Sequence, residues 1–123
     1  MYLLSQIYLQ EEDWMDNIIN LERLVREYPD SPYLSEALYV LCLSYFKKDE
    51  YEKAIKVGER YLKDYSSLEY SDDILYTKAI CWEMLNNEEK AISDYQNLIS
   101  KYPQSTYVGK ARERLEVLQK ESE

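Results

Sequence analysis

Histidine is absent from this chain of 123 residues, and cysteine, glycine and proline are scarce. Without imidazole, the sequence lacks the general bases, nucleophile triads and zinc ligands that depend on histidine. No glycine-rich phosphate loop occurs, and neither Cys42 nor Cys81 has a partner base. Acidic pairs such as Asp72 and Asp73 fall at predicted helix starts, where carboxylates complement the helix dipole. We therefore predict a protein that is not an enzyme and that has no cofactor and no metal site.

The few glycines and prolines also bear on the fold. Only two glycines and three prolines occur, whereas hydrophobic residues make up 46% of the chain. This composition is typical of helices joined by few sharp turns, so we predict an all-α fold. Both cysteines are predicted to be small packing residues, and a disulfide between them is the alternative. No stretch approaches the about 18 consecutive apolar residues of a membrane-spanning helix. The net charge of −9 disfavours a nucleic-acid partner. The negative charge would either keep the protein soluble or attract a partner with a basic surface.

A repeat runs through the sequence. Tyr28, Tyr65 and Tyr102 are evenly spaced, because 65 − 28 = 37 and 102 − 65 = 37. A period of this length indicates a solenoid of stacked helical hairpins. We predict a single domain over residues 1–123, in which three repeats and a capping helix occupy residues 1–30, 31–67, 68–104 and 106–120.

Start and stop signals predict where the helices lie. Pro29 ends a helix that begins near Trp14, and Ser31 is the predicted N-cap of the next helix, with Pro32 at its first position. Two capping boxes are predicted to open the second helices of repeats two and three, formed by Asp49 with Glu52 and by Asn86 with Glu89. The capping helix has a predicted inward stripe of Ala111, Leu115 and Leu118, and its predicted outer side carries Lys110, Arg112, Arg114 and Glu116.

A pattern of small and aromatic residues recurs within the repeats. A small residue is followed three positions later by an aromatic residue and twelve positions later by alanine, as in Cys42, Tyr45, Ala54 and again in Ala79, Trp82, Ala91. Small side chains let two helices of a hairpin cross closely. The pattern resembles the tetratricopeptide (TPR) repeat, although Gly58 stands where a large residue is expected and Lys78 stands at a usually apolar position.

The connections between repeats narrow the resemblance. Tyr28-Pro29-Asp30-Ser31 and Tyr102-Pro103-Gln104-Ser105 resemble the connections of the outer-membrane assembly lipoprotein family, called BamD or YfiO, and of the related YbgF C-terminal domain. The resemblance implies a right-handed α-α superhelix of three TPR-like hairpins plus a C-terminal capping helix. It also implies a periplasmic component of envelope assembly that binds another subunit or unfolded outer-membrane protein segments.

The family resemblance also predicts a binding surface, because the first helices of TPR-like hairpins line the concave face. The positions carried over are mostly aromatic or aliphatic with acidic residues at the edge: Tyr2, Glu36, Tyr39, Leu43, Phe46, Asp73, Tyr76 and Ile80. Such a surface would accept an extended peptide or a partner helix, and its acids would favour basic residues in that partner. The alternative is that the tyrosines only pack between adjacent first helices.

The predicted function is therefore a protein–protein interaction scaffold associated with the outer membrane on its periplasmic side. The alternatives are an oligomerisation or adaptor module of a cytoplasmic TPR protein and, with least support, an enzyme that uses the acidic groove. Met1 falls partway along the first predicted helix. This indicates a trimmed protein, from which a signal peptide, a lipid anchor or further repeats could have been removed.

Overall fold

A computed structural model describes residues 14–65 and 70–121, and within those residues every regular element is an α-helix. The helices are α1 (Trp14–Glu27), α2 (Leu34–Lys47), α3 (Tyr51–Tyr65), α4 (Ser71–Met84), α5 (Glu88–Lys101) and α6 (Val108–Glu121). The all-α prediction is confirmed. The predicted first helix of repeat one lies outside the described residues.

The chain divides into two compact units, Met1–Ser66 and Ser67–Glu123. In the first unit, α2 packs against both α1 and α3. In the second unit, α5 packs against both α4 and α6. The helices of each unit are thus antiparallel neighbours joined by short connections, and the single domain over residues 1–123 stays a prediction.

The core of the first unit is built around α2. Eight of its residues are buried: Leu34, Ala37, Leu38, Val40, Leu41, Cys42, Ser44 and Tyr45. The thiol of Cys42 donates to the carbonyl oxygen of Ala54 on α3 at 3.4 Å, and both residues are fully buried. The two helices therefore cross closely where small side chains face each other, as the repeat pattern predicted.

The core of the second unit centres on α5, where Ala91, Tyr95 and Leu98 are fully buried. Ala111 and Leu118 of α6 are also buried, whereas Leu115 is partly exposed. The predicted inward stripe of the capping helix is thus confirmed at two of its three positions.

Two residues at equivalent positions end the first helices of the hairpins. Asp49 follows α2 and Asn86 follows α4, one period apart because 86 − 49 = 37. Both have a backbone φ of 61°, in the left-handed region that Asn and Asp tolerate better than most residues. The amide of the next residue then donates back five residues, from Glu50 to Tyr45 at 2.9 Å and from Asn87 to Trp82 at 2.8 Å. This pattern is a Schellman motif, a C-terminal helix stop.

The predicted N-cap roles of Asp49 and Asn86 are therefore wrong. A residue that closes the preceding helix in the left-handed conformation does not also adopt the extended conformation typical of an N-cap. The cap of α5 is one position further on, where the side chain of Asn87 accepts from the amide of Lys90 at 3.2 Å.

Ser31 also differs from its predicted role, because α2 begins three residues later at Leu34. Its hydroxyl accepts from the amide of Tyr33 at 3.1 Å, only two residues on, and its own amide donates to the carbonyl of Tyr28 at 3.0 Å. Ser31 thus closes a tight turn and does not cap a helix. Ser105 makes the same two bonds before α6, to Tyr107 and Tyr102.

Candidate protein-interaction surface

One face of α2 carries four of the predicted site residues, which we call the α2 strip: Glu36, Tyr39, Leu43 and Phe46. Steps of three and four residues place the four side chains within an arc of about 80° around the helix. All four are partly exposed. They lie opposite the buried residues Leu34, Leu38, Leu41 and Tyr45, so the α2 strip is on the side of α2 away from its main packing face.

The equivalent face of α4, one period later, is the α4 strip: Asp73, Tyr76, Ile80 and Glu83. These four side chains are also partly exposed. The same steps of three and four residues place them on one side of α4. The predicted site residues Glu36, Tyr39, Leu43 and Phe46, and Asp73, Tyr76 and Ile80, therefore lie on one face of α2 and of α4, whereas Tyr2 lies outside the described residues.

Tyr76 is engaged by other aromatic residues of its own unit. Its ring stacks on Tyr107, with the ring centroids 4.8 Å apart and the planes at 24°, and it also lies 6.0 Å from the ring of Tyr95. Burial, together with the charge of Glu83, raises the pKa of Tyr76 above its ordinary value. Tyr76 of α4 thus packs on Tyr95 of α5 and on Tyr107 just before α6, while part of its surface stays exposed.

Glu83 lies at the centre of a polar network in the second unit. Nε of Arg114 donates to its carboxylate at 3.2 Å, and a second guanidinium nitrogen makes an ion pair with its other oxygen. The buried hydroxyl of Tyr95 donates to the same carboxylate. Burial alone would raise the pKa of Glu83, but the hydrogen bonds from Arg114 and Tyr95 and the charge of Arg114 outweigh it, so the pKa is lowered.

The position of Arg114 corrects the sequence prediction, which placed it on the outer side of the capping helix. Its position corresponds to the buried Thr77 and Val40, because 114 − 37 = 77 and 77 − 37 = 40. The repeat register, extended into the capping helix, would have predicted that Arg114 turns inward. The long side chain of Arg114 reaches Glu83, and the Glu83 carboxylate balances the charge of its guanidinium group.

Removing the charge of Glu83 should change how stability depends on pH. A lowered folded-state pKa stabilises the protein above the ordinary carboxyl value, and this contribution is lost as the pH falls through the lowered pKa. We therefore expect Glu83→Gln to show a smaller drop in unfolding free energy between about pH 6 and about pH 3 than the wild type does. Urea unfolding monitored by circular dichroism measures this difference.

The matched variant is Arg114→Gln, which removes the cation but leaves the carboxyl group to titrate. Loss of the cation should move the acid-induced destabilisation toward the ordinary carboxyl range. An undiminished drop in Glu83→Gln would mean that Glu83 does not contribute to the acid sensitivity of the fold.

Two carboxylates in the first turn of α4 bind residues near the start of α6. Asp72 accepts from the hydroxyl of Ser105 at 2.5 Å. Asp73 accepts from Thr77 of the same helix at 3.5 Å. Burial raises the pKa of Tyr107 most, and the negative charge of Asp73 and its hydrogen bond with Tyr107 raise that pKa further. The acidic end of the α4 strip is therefore part of the packing between α4 and α6.

Phe46, at the end of the α2 strip, is oriented by the following helix. Its ring meets the ring of Tyr51 edge to face, with the centroids 6.1 Å apart. The hydroxyl of Tyr51 in turn donates to Asp49 at 2.9 Å. The apolar end of the α2 strip therefore packs on the first residue of α3.

Residues 14–65 and 70–121 lack two further types of feature. No group of three or more Cys, Asp or Glu side chains there is arranged to hold a metal ion. None of the helices in those ranges has the length and apolarity that crossing a membrane requires.

The whole chain is similar to a known protein family. The YfiO family, described as outer membrane lipoprotein, matches the chain over residues 1–121. The match extends across both units and confirms the resemblance expected from the repeats. No curated protein matches the chain significantly.

Proposed function

The chain belongs to the YfiO family of outer membrane lipoproteins, and on this basis we propose that it is a non-enzymatic scaffold that binds another protein during assembly of the bacterial outer membrane. The proposal locates it at the periplasmic side of that membrane. The partner would be a peptide segment or a helix, bound by the partly exposed faces of the first helices. The residues proposed to contact it are Glu36, Tyr39, Leu43 and Phe46 on α2, and Asp73, Tyr76 and Ile80 on α4.

The composition of the α2 strip is the observation that carries this proposal. Tyr39, Leu43 and Phe46 follow one another along a single helix face, and each is partly exposed. The equivalent positions on α6, two periods later, carry Lys110, Glu113, Val117 and Lys120, all exposed. The repeat fold thus accepts a mainly charged face at this place. A contiguous apolar surface on a folded protein is typical of a partner site.

The chemistry of the α2 strip indicates what it would bind. Tyrosine and phenylalanine supply a large contact area and lose little side-chain freedom, which favours affinity. Glu36 lies at the N-terminal end of the α2 strip and would favour a basic residue of the partner. Because the strip is carried by a helix packed on both sides, binding requires little reorganisation of the scaffold.

The α4 strip would contribute differently, because Tyr76 also packs on Tyr107. Changing Tyr76 would affect both stability and binding, so it cannot separate the two. Leu43 lies in the middle of the α2 strip and is partly exposed, which makes it the better position for a test.

Photo-crosslinking in the cell envelope tests the proposal while the partner is still unidentified. A photoreactive amino acid at Tyr39 should give a discrete protein adduct, because the α2 strip is the proposed contact surface. The matched control is the same amino acid at Lys56, an exposed residue of α3. Mass spectrometry identifies the adduct. Equal adducts from both positions would contradict the proposal, and an adduct of two copies of this chain would indicate the oligomerisation alternative instead.

We expect Leu43→Glu to reduce the adduct formed at position 39 by about tenfold, because a carboxylate would be desolvated in the apolar contact. Leu43 is partly exposed, so the variant should keep its helicity, and its free energy of unfolding should fall by no more than about 1 kcal/mol. Circular dichroism and urea unfolding of the purified variant check this. A variant that crosslinks like the wild type would rule out the α2 strip as the binding surface.

A further inference from the structure

A second surface of the first unit has the features of a peptide-binding site. A pocket of about 500 Å³ lies where α1 ends and the chain turns toward α2, and we call it the turn pocket. Its lining includes Leu24, Glu27, Tyr28, Pro29, Asp30 and Pro32. We propose that the turn pocket binds a proline-rich, extended segment of another protein that carries lysine or arginine. None of its residues belongs to the α2 strip, so this inference goes beyond the proposed function.

The turn pocket is preformed by local hydrogen bonds. The amide of Tyr28 donates to the carbonyl of Leu24 at 2.9 Å, and the amide of Ser31 donates to the carbonyl of Tyr28 at 3.0 Å. Pro29 and Pro32 fix two further backbone angles in the same short segment. A ligand would therefore meet a backbone that is already ordered, which lowers the entropic cost of binding.

The lining matches the chemistry of an extended proline-rich ligand. Tyr28 is 59% exposed, one of the most exposed large hydrophobic residues of the described chain. Tyr28 lines the pocket together with Pro29 and Pro32. Polyproline II segments dock on aromatic and proline surfaces of this kind, because they are already extended and lose little entropy on binding.

The charges of the turn pocket select among such segments. Two of its lining residues, Glu27 and Asp30, are acidic, and the net charge of the chain is −9. Glu27 makes an exposed ion pair with Nε of Arg23 at 2.7 Å, which leaves Asp30 as the main carboxylate offered to a ligand. A basic residue next to the prolines would complement this charge, whereas an acidic segment would be repelled.

The corresponding turn in the second unit shows that the fold does not require these residues. Ser105 makes the same backbone and hydroxyl bonds as Ser31. Gln104, however, stands in place of Asp30, and Thr106 stands in place of Pro32. Tyr102 is also less exposed than Tyr28. The turn therefore forms without the acid and the second proline, so these side chains are available for recognition.

The test uses the full chain and three synthetic nine-residue peptides. The probe is Pro-Pro-Arg repeated three times, and the controls are repeats of Pro-Pro-Gln and of Gly-Gly-Arg. We expect saturable binding of the probe, with amide shifts in ¹H–¹⁵N NMR spectra concentrated at residues 24–33. Each control should bind at least about fivefold more weakly, because it lacks either the charge or the extended shape.

Variants identify the residues that bind the probe. Tyr28→Ala and the double variant Asp30→Gln/Pro32→Thr, which copies the turn of the second unit, should each weaken binding by about fivefold or more. Tyr102→Ala, the matched change in the second unit, should bind as the wild type does. Three results would each overturn the proposal. They are binding of the probe to Tyr28→Ala as strong as to the wild type, binding of the Gly-Gly-Arg peptide as strong as that of the probe, and binding of the probe that does not saturate. Light scattering that shows a dimer lost in Tyr28→Ala would also overturn it, because a second copy of the chain would then occupy the pocket.

Discussion

Replacing Lys78 by leucine is expected to lower the free energy of unfolding by about 3 kcal/mol, because it removes one partner of a buried ion pair. Nζ of Lys78 lies 3.5 Å from the carboxylate of Asp94, and their side chains are only 13% and 9% exposed. Without the ammonium group, the Asp94 carboxylate keeps its desolvation cost but loses the attraction of the Lys78 charge. Urea unfolding monitored by circular dichroism measures the change.

The first unit supplies the matched control for this prediction. Its residues at the same places are Leu41 and Val57, because 78 − 37 = 41 and 94 − 37 = 57. We expect the double variant Lys78→Leu/Asp94→Val to recover most or all of the lost stability, since well-packed apolar residues often replace a buried pair without loss. If the single variant is as stable as the wild type, the pair does not stabilise the fold.

The two cysteines allow the units to be monitored separately. Cys42 lies in the first unit and Cys81 in the second, and both are fully buried thiols that form no disulfide. Burial raises the pKa of the Cys81 thiol to about 12, so it should react slowly with thiol reagents while its unit stays folded. Lys78→Leu should accelerate labelling of the Cys81 peptide, and the Cys42 peptide from the same sample reports on the first unit.

The second large effect is expected at Tyr95, the fully buried aromatic residue of α5. Tyr95→Ala should lower the free energy of unfolding by about 4 kcal/mol, because it leaves a cavity next to Tyr76 and removes a hydrogen bond to Glu83. Tyr95→Phe, which keeps the ring, should cost about 1–2 kcal/mol, since only the hydroxyl is lost. Denaturant unfolding of both variants separates the contribution of packing from that of the hydrogen bond.

An exposed tyrosine provides the control for Tyr95. Tyr28→Ala, at a residue that is 59% exposed, should change the free energy of unfolding by no more than about 0.5 kcal/mol. A small effect of Tyr95→Ala, similar to that of Tyr28→Ala, would mean that the core of the second unit closes around the missing ring.

The position of Tyr95 also explains the glycine of the first unit. Gly58 lies one period before Tyr95, because 95 − 37 = 58, and Tyr61 lies one period before Leu98. Tyr61 and Tyr95 are both fully buried. The buried tyrosine of the second unit therefore stands at the position of Gly58. The buried tyrosine of the first unit, Tyr61, stands three residues after that position, on the same side of the helix. A single sequence shows the unusual glycine but not the tyrosine that compensates for it.

Features that depend on neighbouring residues were predictable from the sequence. The all-α fold follows from the scarcity of glycine and proline and from apolar residues at helical spacing. The 37-residue period identified equivalent positions, such as Tyr39 and Tyr76, and the family match covers residues 1–121. The close crossing of Cys42 and Ala54 was predictable as well, because few other residue types allow two helices to approach so closely.

Other features were decided by residues far apart in the chain. The repeat register indicates that Arg114 turns inward, but its ion pair depends on Glu83, 31 residues earlier, whose carboxylate also accepts from the buried hydroxyl of Tyr95. Tyr76 was predicted at a binding face, but whether its ring also packs on Tyr107 depends on how α6 lies beside α4. The exact helix ends likewise depend on hydrogen bonds that compete at each turn, as at Ser31 and Asp49.

The sequence by itself therefore determined the helices, their period and the family, since backbone propensity and apolar spacing are local properties of the chain. Only the tertiary structure decided which polar side chains are used for packing and which stay partly exposed. That choice depends on the distances between helices and on the cost of burying a charge without a partner. The network around Glu83 and the partly exposed α2 strip are the two results of that choice.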